Sequence, residues 1–205
     1  MVHEHALETK RWLYGVRLSF ALSDWARLGA RYPKALEAMR AIRDRDIARL
    51  LDGTADEHKF ADVAAINEVL NESAATFALF RSLISKQPAQ ALKCWRIFRP
   101  TAIAAGEYAL AREFVEDPDA RFQEAKQRFQ KLIEEQGRET ALEFFSDDVC
   151  ALVEVLAGSG ADSQAAKFES AAIAFANDRR VEVAGKHARR TGNHRRAEAS
   201  QGGQK

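Results

Sequence analysis

Few side chains in this sequence are spaced as reacting groups usually are. His3 and His5 could clip a metal ion, but no third histidine or cysteine stands near them in sequence. The other histidines, His58, His187 and His194, never fall four positions apart, the spacing that puts two rings on one helix face. No Glu-x-x-His pair occurs, so the helix-borne ligand set of a di-iron bundle is missing too. Cys94 and Cys150 are far apart, form no metal-ligand pattern or disulfide framework, and read as reduced core residues. Glu134-Glu135 and Asp147-Asp148 are adjacent acids that point about 100 degrees apart on a helix, which makes them solvated faces or first-turn charges rather than an acid and base pair. Gly158-Ser159-Gly160 lacks the lysine and the preceding strand of a phosphate loop and reads as the hinge of a helical hairpin. No nucleophile motif marks a serine or cysteine. The expectation is a chain that is not an enzyme, with no catalytic residue, no metal and no cofactor.

The conspicuous charge feature lies at the end of the chain. The formal net charge is only +1, yet residues 179 to 205 hold eight Lys or Arg against two Glu, so an acidic body carries a basic end. Arg179, Arg180, Lys186, Arg189, Arg190, Arg195 and Arg196 could attract phosphate backbone, although without interleaved aromatics the contact would be weak and indifferent to sequence. The 46% hydrophobic and 30% charged content over 205 residues suits a globular domain with a sizeable core. Arg and Glu interrupt every apolar stretch before the roughly 20 residues that a membrane span needs. Residues Met1 to His5 lead into a charged amphipathic segment, so no secretory signal is expected and the cytosol is the expected compartment.

The elements that would position these residues are helices throughout. Trp12, Leu13, Val16, Phe20, Leu22, Trp25 and Leu28 recur at helical spacing from about Glu8 to Arg31, where Pro33 stops the run. Leu36, Met39, Ile42, Ile47 and Leu50 form the next stripe, closed by Gly53, and Thr54 with Glu57 has capping-box spacing for a third helix carrying Phe60, Val63, Ile66 and Leu70. A break at Asn71-Glu72-Ser73 precedes Phe77, Phe80 and Ile84, and Pro88 restarts the chain into Leu92, Trp95 and Phe98. Pro100 predicts a kink or a new start, and Asp117-Pro118 a capped start of a helix that ends at Gly137. A short helix over Ala141 to Phe145 is expected before Ser146-Asp147-Asp148 caps another, which pairs across Gly158-Ser159-Gly160 with the helix carrying Ala165, Phe168, Ala172 and Phe175. The aromatics at helical spacing, including all three Trp, read as core. No run alternates apolar and polar residues as a strand would. The predicted organisation is one helical domain over 1–190 and a disordered basic tail over 191–205.

Parts of this pattern resemble tetratricopeptide repeats. Leu152, Gly160, Ala165 and Ala172 fall at matching spacings, with Asn177 where a proline is usual and Glu169 where an aromatic is expected. Trp95, Gly106 and Ala111 keep the same mutual spacing, and Trp25, Leu28, Gly29 and Tyr32 reproduce the opening signature, with Pro33 too early. The resemblance implies an all-α stack of antiparallel hairpins, a short solenoid whose groove holds a segment of a protein or peptide partner. In that register Lys93 and Arg96 would face the groove, with Asp147 and Glu154 from the last pair. The expected function is therefore an adaptor or scaffold, the alternative being a nucleic-acid-associated accessory protein that uses its basic end.

Overall fold

The computed structural model describes residues 21–202, with side chains to residue 197. The predicted first helix as far as Phe20, and His3 and His5 with it, lie outside the described residues. Those described form ten helices and no strand. The chain divides into two compact units, Met1–Phe98 and Arg99–Lys205.

In the first unit α1 (Leu22–Gly29), α2 (Pro33–Leu51), α3 (Glu57–Val69) and α4 (Ser73–Lys86) precede α5 (Pro88–Ala104), within which the division falls. Local chemistry sets these boundaries. Tyr32 is extended and puts Pro33 at the first helical position, where its missing N–H costs nothing. Gly53 takes φ +78° just beyond α2, a conformation that glycine adopts without Cβ strain. The cap of α3 is Asp56, whose carboxylate accepts the His58 and Lys59 amides at 3.1 and 3.3 Å. Thr54, the predicted cap, instead donates to Asp52 at 2.6 Å.

Rings fill the middle of this unit: Phe98 lies 4.4 Å from Phe80, 4.9 Å from Phe77 and 5.8 Å from Phe60, centroid to centroid. Such contacts add about 0.5–1.5 kcal/mol each beyond area burial. Leu22, Met39 and Ile66 form a second cluster with Trp25 and Leu70 against it. Polar groups are buried as well. Asn67 donates to Thr76 at 3.0 Å, and the Lys59 ammonium lies 3.5 Å from Asp46 and 3.2 Å from Asp62, two carboxylates almost wholly withdrawn from solvent.

The second unit holds α6 (Tyr108–Arg112), α7 (Pro118–Gln136), α8 (Arg138–Gly158), α9 (Asp162–Ala176) and α10 (Arg180–Gly202). Asp117 accepts the Ala120 amide at 3.0 Å and Pro118 opens α7, as the spacing predicts. α5 continues through Pro100 to Ala104. α8 is central: it packs against α6, α7, α9 and α10. Phe122, Phe129, Phe145 and Phe168 meet around it, with Phe175 5.3 Å from Phe145.

Two expectations fail in this unit. α8 is one helix of 21 residues and not a short helix followed by a capped one. Ser146 sits mid-helix with its hydroxyl 2.7 Å from the Leu142 carbonyl one turn back, so nothing there caps a new start. The predicted tail also continues as helix, α10 reaching Gly202. Its buried face is Val181, Gly185, Ala188 and Gly192, a stripe of small residues that lets α8 and α10 approach closely.

Candidate interaction surface

The exposed side of α5 in the first unit is the clearest candidate. Between Ser73 and Phe98 there is no Asp or Glu, against Arg81, Lys86, Lys93 and Arg96. α5 turns Cys94, Trp95 and Phe98 inward, which leaves Ala89, Leu92, Lys93 and Arg96 outward at helical spacing. Leu92 is 60% exposed, one of the large apolar side chains that the described residues leave at the surface along with Leu28, Tyr32, Phe144 and Val183. Lys93 and Arg96 have no ion-pair partner among the described residues, although Asp56 and Glu57 at the start of α3 lie near enough for the neighbouring Cys94 to feel their charge. The repeat register selects Lys93 and Arg96, whereas the spacing of Leu92 reads as core.

Asp147 and Glu154 stand on α8 in the second unit. Asp147 is exposed; Glu154 is half-buried, and burial pushes its carboxyl above the ordinary value while His187 pulls it back. Glu139 and Glu143 are exposed at four-residue intervals before Asp147, and Phe144 between them is 46% exposed. The two pairs predicted for one groove thus occupy two different units.

Four of the seven cations of the basic end, Arg180, Arg189, Arg195 and Arg196, bond to groups of the fold. Arg189 binds Asp162 at 2.9 Å and Glu169 at 2.8 Å. Arg195 donates to Glu107 at 2.7 Å and to the Ala105 carbonyl at 2.5 Å, and Arg196 donates to the Gly158 carbonyl and to Asn193. Those two carbonyls lie at the C-terminal ends of α5 and α8, where the helix dipole favours a cation. Arg179, Arg180, Lys186, Arg190, Arg195 and Arg196 are all exposed, and only Arg189 is partly buried. A cleft of about 310 Å³ opens beside Glu107, Tyr108, Ser159, Gly192, Arg195 and Arg196, but its polar groups make these same internal bonds.

Arg180, itself exposed, closes a knot of hydrogen bonds around buried Ser146 and Asp178, between α8 and the start of α10. Asp178 accepts from the Arg180 amide and guanidinium, each at 3.0 Å, and from the Ser146 hydroxyl, and Arg180 also reaches Ser146. Burial alone would push the Asp178 carboxyl up, but the Arg180 and Ser146 bonds outweigh it and hold the carboxyl below the usual carboxylate range. A depressed folded value means stability that is present above the unfolded value near 4 and lost as pH falls through the folded one. The second unit is therefore expected to lose stability from this group as pH falls below about 4. Asp178→Asn should be less stable than the native chain at pH 7, by urea denaturation, with the gap narrowing at pH 3.

Thiol chemistry finds little support. Burial pushes Cys94 up to about 12 and Cys150 to about 11, so neither is a thiolate at neutral pH. Among the described residues no group of three or more His, Cys, Asp or Glu is placed to hold a metal ion, and no helix is long and apolar enough to cross a membrane. No family model matches this chain, and no curated protein or solved structure matches it.

Proposed function

We propose that the chain is a non-catalytic protein-interaction module that captures an acidic partner segment on the outer face of α5. The observation that carries this reading is the acid-free stretch from Ser73 to Phe98 with Leu92, Lys93 and Arg96 turned outward. An amphipathic segment bearing carboxylates around one apolar anchor complements such a face: the anchor covers Leu92 and the carboxylates meet the cations. Support for the stacked-hairpin part of the reading, akin to tetratricopeptide repeats, comes from helix neighbours within each unit. Contacts link consecutive helices and next-but-one helices, α1 with α3 and α2 with α4 in the first unit, α6 with α8 and α8 with α10 in the second.

The test is fluorescence anisotropy with a labelled helix-forming peptide that carries Glu at every fourth position and one Phe. The native chain should bind it, more weakly as salt rises, and Lys93→Glu with Arg96→Glu should weaken binding at least tenfold while leaving the circular dichroism spectrum unchanged. Equal binding by the double variant would refute the placement.

A further inference from the structure

We propose that the chain also associates with itself head to tail, the basic face of α5 in one copy taking the acidic face of α8 in another. This rests on the reading of α5 as a docking face and names an occupant of it. α8 presents Glu139, Glu143 and Asp147 at four-residue intervals, a line of carboxylates down one side of the helix, with Phe144 exposed beside them. α5 presents Lys93 and Arg96 with Leu92 exposed beside them. Each face joins charges of one sign to one large apolar side chain, and the signs are opposite.

The spacing suits the match. At about 1.5 Å of rise per residue, Lys93 and Arg96 lie about 4.5 Å apart along their axis and Glu143 and Asp147 about 6 Å, so two cations can meet two carboxylates while Leu92 and Phe144 exclude water between them. Like-charge juxtaposition disfavours α5 on α5 and α8 on α8, which leaves the heterologous pairing. Because the two faces differ, every copy has one of each to offer, and association grows into an open chain or closes as a ring. Helical faces two to three turns long bury little area, so the contact is weak and reversible.

Sedimentation velocity of the full chain over roughly 5–500 μM at low salt tests this, alongside the peptide assay above. The sedimentation coefficient should rise with concentration, and the rise should vanish in 0.5 M salt, where the Debye length falls to about 4 Å. Lys93→Glu with Arg96→Glu, and separately Glu143→Lys with Asp147→Lys, should each weaken association at least tenfold. An equimolar mixture of the two double variants should restore it, since each then supplies the charge that the other's altered face requires. Association unchanged in either variant, or no recovery on mixing, overturns the proposal. A native chain that stays monomeric throughout yet still captures the peptide overturns self-association alone and leaves α5 as a docking face; failure to capture the peptide removes the reading on which both rest.

Discussion

Leu152→Asp is expected to abolish cooperative melting of the second unit. Leu152 is only 6% exposed and lies in the cluster formed by Phe122, Phe145, Phe168 and their neighbours. Truncating a buried leucine costs about 2–5 kcal/mol through lost transfer energy and the cavity left behind. The new carboxylate adds a second cost, because a charge in this apolar stripe has no partner and must either draw in water or take up a proton. The sum, about 5 kcal/mol or more, rivals the whole stability of a domain. The sign of the pH dependence identifies the cause: burial raises the folded pKa of the introduced acid, so the variant should be least stable at neutral pH and recover partly as pH falls toward 4. Leu92→Asp is the control. It sits on the exposed side of α5 and should change the melting free energy by no more than about 0.5 kcal/mol. A cooperative melt for Leu152→Asp within a few degrees of the native chain would mean that α8 turns a different face inward.

What the sequence disclosed and what it hid follow from how each element buries itself. Helices α2, α3, α4, α7 and α9 are legible because apolar residues recur along them at helical spacing, and α2, α4 and α7 are in addition closed by glycine or proline. Ser146-Asp147-Asp148 has the composition of a cap and so divides α8 in two by pattern; only the path of the chain beyond Asn177 explains it, since Asp178 and Arg180 return to satisfy the Ser146 hydroxyl. α10 was hidden for a different reason. Its mean hydropathy is that of a linker, and beyond Val181 its inward face is glycine and alanine, which carry little hydrophobic signal. The Arg-rich composition suggested a free electrostatic arm, but Arg189, Arg195 and Arg196 are the means by which the helix is fastened.

The candidate surface was half legible. Lys93 and Arg96 were singled out from a repeat register, and the pattern that makes them a face, the lack of acids from Ser73 to Phe98, was readable in the sequence but easily masked by a near-zero total charge. Leu92 could not have been separated from the core by periodicity alone, because it lies between Ala91 and Trp95, which do face inward. Packing of Trp95 and Phe98 against Phe80 fixes the rotation of α5 and so decides which residues remain outside. Function of the kind proposed here is thus a by-product of core geometry: the rings choose the inner side, and the charges left over define what can bind.

Gly192→Ala separates this account of α10 from a simple propensity argument by its sign. In a solvated helix interior the substitution should stabilise by about 0.5–1 kcal/mol, since alanine loses less backbone freedom on folding. In α10 a Cβ on residue 192 would stand 2.1 Å from the carbonyl oxygen of Gly158 and 2.8 and 2.9 Å from that residue's carbonyl carbon and Cα. These are backbone atoms, so no rotamer change relieves the overlap and α10 must move away from α8. The displacement strains the bond from Arg196 to the Gly158 carbonyl, and it loosens the seating of Ala188 and Val181 in the same core. Overpacking of this kind costs about 1–3 kcal/mol, which outweighs the propensity gain. Gly192→Ala should therefore lower the midpoint of thermal unfolding by about 4–12 °C for a unit of this size and speed amide exchange along α10. A midpoint that rises instead would mean that the two helices do not touch at these glycines, and that the basic end is after all a solvated arm.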